Sequence, residues 1–222
     1  PYRQSERNAI YQQKVDHLLE SGSAYRCFCS AETLAKAREK QKQDKMRLGY
    51  PGTCRDLDRV ESNQRAAQEQ PHVIRLRVPA AGETSFVDQI RGEIRVANSE
   101  IDDQVLIKTD GYPNYHLANV VDDIEFGITH VVRAEEWLIS TPKHVLIYQA
   151  LDHPLPRFFH VPLLRNADHS KISKRKNPVS LDWFREQGYL KEAILNFLAL
   201  MGWSPPDEEE VFDLDRFQRE FN

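Results

Sequence analysis

The sequence predicts an α/β fold, and three observations carry that reading. Short apolar runs at 129–133 and 158–161 flank a helical segment that opens at Thr141-Pro142 and continues over 145–151. Strand, helix and strand in that order form a parallel unit, because parallel neighbours need a crossover connection. Over 72–78, Ile74, Leu76 and Val78 alternate with Arg75 and Arg77, the period-two pattern of a half-buried strand. After Lys176 the chain reads as helix, over 180–187 with Gly188 as the stop and over 190–201 with Gly202 as the stop.

The remaining elements follow in chain order. Residues 5–20 place Tyr11, Val15, Leu18 and Leu19 at helical spacing, ending at Ser21-Gly22. A strongly charged helix is predicted over 32–45, then a turn at Gly49-Tyr50-Pro51-Gly52. Segments 84–88 and 93–97 flank Arg91-Gly92 and predict a hairpin. A strand over 105–108 closes at the turn Asp110-Gly111-Tyr112-Pro113. Thr141 is placed as an N-cap with Pro142 at the first helical position. Leu190, Ile194, Phe197, Leu198 and Met201 form one apolar stripe, which predicts a packed core face.

Composition excludes several classes. The chain has 222 residues, with Lys plus Arg 30 against Asp plus Glu 34 and a net charge of -4, so a uniformly basic nucleic-acid binder is excluded while a local basic patch is not. No run approaches the roughly 18 apolar residues of a spanning helix, and the first twenty residues hold no apolar signal core. That predicts no membrane partner and a cytoplasmic protein. An odd count of 3 cysteines argues for a reducing compartment. No glycine pair forms GxG, so neither dinucleotide nor P-loop fingerprints occur. The chain opens at Pro1 without an initiator methionine, which predicts a piece of something longer.

The densest chemistry lies in Lys171-Ile172-Ser173-Lys174-Arg175-Lys176, four cations in six residues. Read from the residues, this is an exposed loop able to clamp a polyphosphate: ammonium groups as point charges, and a hydroxyl to donate to a phosphate oxygen. A solvated basic loop is the plain alternative. In this context 171–175 resembles the KMSKS-type signature of class I aminoacyl-tRNA synthetases, in the KISKR form of the bacterial glutamyl branch. Further blocks resemble the same family in order: Tyr2-Arg3-Gln4-Ser5-Glu6-Arg7, Asp110-Gly111-Tyr112-Pro113, Tyr115 through Asp123, Arg133-Ala134-Glu135-Glu136-Trp137, and Asn196 through Trp203.

The resemblance implies the second half of a Rossmann-like nucleotide-binding fold. It implies a helix leading out of the catalytic core (1–20), an inserted α+β acceptor-binding domain (21–112), that half-fold (113–165), and a signature loop with the start of a helical stem-contact region (166–222). It implies that Tyr115 and Asn119 line a glutamate pocket, that Arg133 holds the substrate carboxylate with a bidentate fork, and that Trp137 closes the wall. Glu136 and Leu164 would contact ATP, with Lys171, Ile172, Ser173, Lys174 and Arg175 around its phosphates. Lys171 and Lys174 would be catalytic, stabilising charge as the glutamate carboxylate attacks the α-phosphorus and pyrophosphate leaves. Adenylate formation needs no general base, so His116 and His130 are read as structural. ATP with Mg²⁺, L-glutamate and the acceptor stem of tRNA-Glu are the implied partners, and the full-length protein is expected to be a monomer.

Cys27 and Cys29, then 24 residues, then Cys54 match the spacing of a structural Zn²⁺ site in some members of this family. Zinc takes four ligands, and the fourth is open between Tyr50 and Asp56. Three free thiols are the alternative. Basic residues Lys36, Arg38, Lys40, Lys42, Lys45, Arg47, Arg55 and Arg59 are candidates to approach acceptor-stem phosphates, or simply form a solvated face. The family's HxGH signature is absent, so the chain is expected to be a central part of a synthetase, without adenylation activity when isolated. The alternatives are a tRNA-Asp-modifying glutamyl transferase paralogue and a non-catalytic tRNA- or zinc-binding module.

Overall fold

Arg133 on one strand faces His160 on its parallel neighbour, and the fold around this pair is what positions the candidate site. The computed structural model describes residues 2–166, 168–170, 172 and 180–221. They divide into two units, Pro1–Pro162 and Leu163–Asn222.

In the first unit β1 (Ala24–Cys27), β2 (Val73–Leu76) and β5 (Val105–Ile107) make an antiparallel sheet in the order β1-β2-β5. A second sheet runs β4-β3-β7-β6. Its hairpin β3 (Glu83–Asp88) and β4 (Gly92–Ala97) is antiparallel, while β7 (Arg157–Val161) lies parallel to β6 (His130–Ala134) and meets β3 at Asp88↔Phe158. The hairpin turns at Gly92, whose φ of 79° suits a residue without Cβ. The helix linking β6 to β7 is α5 (Thr141–Ala150), so the strand–helix–strand reading holds.

The main core packs α1 (Asn8–Glu20) through Tyr11, Val15 and Leu18 against α4 (Tyr115–Glu125) through Leu117, Val120 and Val121, with Leu76, Leu106 and Ile147 beneath. A smaller cluster joins Tyr25, Cys27 and Cys54, and a third joins Phe86, Val145 and Phe158. Among the described residues no helix is long and apolar enough to cross a membrane.

Several expectations change. Helix α2 spans Ala31–Gln43, capped by the Ser30 hydroxyl accepting from Thr33 N. Three further helices went unpredicted, each opened by an Asp or Asn cap: α3 (Arg59–Ala67), α4 and, in the second unit, α8 (Leu214–Glu220). Strand β1 was also missed, since Ala24-Tyr25-Arg26-Cys27 shows little alternation. Thr141 is not the N-cap of α5. It is the first helical residue behind Ser140, and its hydroxyl serves Arg133. Within the expected segment 21–112, the hairpin joins the second sheet, β3 pairing with β7.

The second unit holds α6 (Leu181–Glu186), α7 (Lys191–Leu200) and α8. Asn196 on α7 donates to Glu210 O at 2.8 Å and accepts from Phe212 N at 3.1 Å, tying the 201–212 connection to the helix. Trp203, Phe212 and Phe217 then pack edge and face. The predicted core stripe on α7 is overturned within this unit: Leu190, Phe197 and Leu198 are exposed, because the face lining the cleft against α8 carries Asn196 and Ala199 instead.

Candidate active site and thiol cluster

Arg133 and His160 are register partners on adjacent parallel strands, so their side chains leave the same face of the sheet. Arg133 Nε donates to His160 Nε2 at 3.0 Å. Its two terminal nitrogens reach the first turn of α5, one meeting His144 Nδ1 at 3.2 Å and the other donating to Thr141 Oγ1 at 2.8 Å. Thr141 passes its own hydrogen to Trp137 O at 3.1 Å. His160 Nδ1 lies 2.6 Å from Asp88 Oδ2, which also accepts from His160 N at 3.1 Å. Thr141, His144, His160 and Asp88 are all buried.

Burial makes this an unusual electrostatic site. The Arg133 guanidinium is pulled down by desolvation, against the Tyr115 phenol and the Asp123 carboxylate, which favour its charge. His144 is pushed down to about 2, by burial first and then by Arg133. His160 is also lowered, burial outweighing the opposing hydrogen bond to Asp88. For Asp88, burial alone would raise the carboxyl. The hydrogen bonds from His160 and from the Ile90 and Arg91 amides hold it low instead. Asp123 moves the other way, pushed up to about 6 by burial despite Arg133.

An aromatic wall stands beside the guanidinium. The Tyr115 and Trp137 rings are 4.7 Å apart, and His116 Nδ1 sits 2.9 Å from His144 Nε2. Tyr115 opens α4, whose N-terminus is capped by Asn114 accepting from Leu117 N, and Asn119 follows one turn on along the same face. Glu136 lies in the 3-10 segment Glu135–Ser140 and is exposed. So the structure brings Arg133, Tyr115 and Trp137 together. The sequence reading missed Thr141, His144, His160 and Asp88. Its one usable signal was a histidine inside the otherwise apolar strand Phe158-Phe159-His160-Val161. His116 and His130 are hydrogen-bonded to His144 and Thr129.

The Sγ atoms of Cys27, Cys29 and Cys54 lie within 4.8 Å of one another. Tyr50 Oη is 3.3 Å from Cys27 Sγ and 3.9 Å from Cys29 Sγ, and it accepts from Cys54 N at 2.8 Å. Asp56 is directed elsewhere, 3.6 Å from Arg77 and almost fully exposed. A tetrahedral zinc with Zn–S bonds of about 2.3 Å separates its sulfurs by about 3.8 Å. The Cys29–Cys54 separation of 3.6 Å therefore fits, and the donor set of three soft sulfurs and one oxygen suits that ion. Arg75 lies over the Tyr50 ring at 3.8 Å and donates to Asp103 O.

All 222 residues match the family model of the class I tRNA synthetases (E and Q), catalytic domain. The chain belongs to this family. It is 54% identical over 222 residues to the glutamate–tRNA ligase of Fusobacterium nucleatum, covering 44% of that protein. To that of Thermus thermophilus it is 52% identical over 221 residues, covering 46%. The fold matches the crystal structure of a glutamate tRNA ligase from Elizabethkingia meningosepticum in complex with its amino acid, with a TM-score of 0.89, 36% identity and 49% of that chain covered. The chain thus spans less than half the length of the curated relatives it matches.

Within this synthetase domain, Lys171, Ser173, Lys174 and Arg175 lie outside the described residues. Two neighbours from the same reading are described: Ile172 N reaches Leu164 O at 3.4 Å, and Leu164 is exposed. The candidate tRNA-facing cations are partly diverted. Arg55 is tied to Asp103 and Val78 O, Arg47 to Ser99 O and Glu100 O, Lys36 to Glu32, and Lys42 to Glu39.

Proposed function

We propose that this chain carries the glutamate-binding wall and part of the ATP-handling surface of a glutamate–tRNA ligase. The observation that supports it most is the state of Arg133. Three of its five N–H groups are spent on neutral acceptors, and the side chain stands beside Tyr115 and Trp137. A positioned guanidinium is what an anionic amino acid needs in order to be held with its reacting carboxylate aimed. That carboxylate attacks the α-phosphorus of ATP, supplied with Mg²⁺; the acyl–phosphate bond forms, the bridging P–O bond breaks, and pyrophosphate leaves with its electron pair. The aminoacyl group then passes to the terminal ribose of tRNA-Glu. Glu136, Leu164 and Ile172 are assigned to ATP, the 171–175 lysines to its phosphates, and Tyr115 and Asn119 to glutamate. The protein is assigned to the cytoplasm.

In the same reading Cys27, Cys29, Cys54 and Tyr50 hold one structural zinc, which ties β1 to the 50–54 turn. The remainder of the basic face, around Arg38, Lys40 and Arg59, approaches acceptor-stem phosphates.

The test is Arg133→Ala in the full-length protein containing this chain. Leaving a desolvated carboxylate without its cation costs about 3–5 kcal/mol, so kcat/KM for glutamate in tRNA charging should fall about 10²–10⁴-fold. A value within about threefold of the parent, with an unchanged melting temperature, sinks the assignment.

A further inference from the structure

Among the described residues, the hydrogen-bond acceptors of Arg133 are two imidazole nitrogens and one hydroxyl, with no carboxylate. Because arginine only donates, His160 Nε2 must present a lone pair, and its proton must sit on Nδ1, 2.6 Å from Asp88. Asp88 is suited to enforce this. Its Oδ1 accepts from Ile90 N at 3.0 Å and Arg91 N at 2.9 Å, and its Oδ2 accepts from both His160 nitrogen donors. Four donors converge on one carboxylate, so it has no freedom to turn away. Asp88 is 1% exposed and His160 0%.

We infer that Asp88 and His160 form a positioning pair that sets the guanidinium of Arg133 for an end-on grip on the substrate carboxylate, an assignment that rests on the proposed glutamate site. Three features of the geometry carry it. The Nε–H is consumed by His160, which removes the side-on fork built from Nε and one terminal nitrogen. Each terminal nitrogen has one N–H spent on α5, and the Tyr115 phenol also favours the guanidinium by a hydrogen bond, so a bidentate ligand must bridge the two terminal nitrogens beside that phenol. The negative charge of Asp88 is held one imidazole away. A carboxylate placed directly against Arg133 would neutralise it and compete with the substrate for the same N–H groups. Acting through a neutral ring, Asp88 orients the cation and leaves its outer edge open. His160 and Asp88 are thus positioning residues rather than catalytic ones.

The hydrogen-bond logic separates this role from simple packing. In His160→Gln the side-chain amide can still present an oxygen where Nε2 accepts from Arg133. In His160→Asn the shorter side chain retains a donor toward Asp88 and offers nothing to Arg133. In Asp88→Asn, an amide nitrogen turned toward His160 favours the tautomer whose Nε2–H confronts the Arg133 Nε–H. All three are compared with Arg133→Ala in the full-length protein by tRNA charging, with melting temperatures measured alongside. Asp88→Asn and His160→Asn should raise KM for glutamate about 10- to 100-fold, the range supporting partners of functional ligands usually carry, while KM for ATP moves less than about threefold. His160→Gln should stay within about fivefold of the parent. Equal effects of Asn and Gln at position 160, or glutamate and ATP KM values rising together, overturn the inference even where Asp88→Asn does not fold. Loss in Arg133→Ala with no change in the pair leaves the glutamate site standing and removes only the inference. No loss in Arg133→Ala removes both.

Discussion

The phenol oxygen of Tyr50 lies 3.3 Å from the Cys27 sulfur and receives the Cys54 amide at 2.8 Å, so one side chain links both arms of the thiol cluster. The two arms come from distant strands of logic: β1 delivers Cys27, and a turn after α2 delivers Cys54. The Cys29–Cys54 contact at 3.6 Å and the packing of Tyr25 and Val73 join the same two arms.

A cation there should stabilise the fold. Zinc binds the folded cluster far better than the unfolded chain, so its removal is felt as lost stability by mass action. Metal analysis of protein prepared without chelator should give about one zinc per chain. Treatment with a strong chelator should lower the melting temperature by several degrees, about 2–4 °C per kcal/mol lost in a unit of this size. A metal-free preparation with a melting temperature indifferent to chelator rules the site out.

The fourth ligand is decidable by substitution. Tyr50→Phe removes the phenol oxygen that contacts Cys27 and Cys29, and should weaken zinc about 10-fold or more in competition with a metal-binding dye. Asp56→Ala should leave the affinity unchanged, since that carboxylate is exposed and turned to Arg77. The reverse pattern would move the ligand to Asp56.

A second test concerns the seam between α1 and α4. Tyr11 Oη donates to both oxygens of Asp122, at 2.8 and 2.9 Å, and Arg7 Nε donates to one of them at 2.8 Å. Tyr11 and Arg7 are both buried. Tyr11→Phe deletes a hydrogen bond to a charged group but leaves the Arg7–Asp122 ion pair, and should cost about 1.5–3 kcal/mol. Asp122→Ala removes the shared acceptor of Tyr11 and Arg7 at once and should cost more, about 3–5 kcal/mol. Denaturant unfolding of both variants checks the order; equal costs would show that Asp122 is not the hub of the seam.

Much of this molecule was legible as sequence, and the reason is local. The crossover of β6, α5 and β7 is announced by short apolar runs and a Thr-Pro start, and the β3–β4 hairpin by Arg91-Gly92. The helices missed, α3, α4 and α8, announce themselves only through single capping residues, Asp58, Asn114 and Asp213. Arg133, Tyr115 and Trp137 were found through a family pattern rather than a physical one. Their supports Asp88, Thr141, His144 and His160 come from three separate elements and share no spacing. Only the fold makes an aspartate ending one strand the neighbour of a histidine on another 72 residues away.

The buried histidines make the last prediction, a steep acid instability. His144 is pushed down to about 2, by burial first and then by the charges of Arg133, His116 and Lys143, and His116 to about 4, by burial first and then by Lys143. Both titrate near 6.5 in an unfolded chain. Below about pH 6.5 the unfolded chain therefore takes up protons that the folded chain refuses, and the equilibrium moves toward unfolding as pH falls. The stabilisation is fully present above that point and is lost on acidification. For His144 alone the slope approaches about 1.4 kcal/mol per pH unit. Asp88, held below its usual value, has the same sign, and its share disappears only in stronger acid. Asp123, raised to about 6 by burial, takes up its proton more readily folded than unfolded and opposes this loss, but His144 and His116 together outweigh it. Urea unfolding should therefore give a nearly flat stability between about pH 8 and 7, then a decline below about pH 6. His144→Asn supplies an amide oxygen near the position of Nδ1, so it can still accept from Arg133, but it cannot titrate. It should show a shallower decline than the parent over the same interval, whatever its stability at neutral pH. Identical slopes in the two proteins would mean that His144 takes up a proton in the folded state, and that the Arg133 network does not hold it as a neutral acceptor.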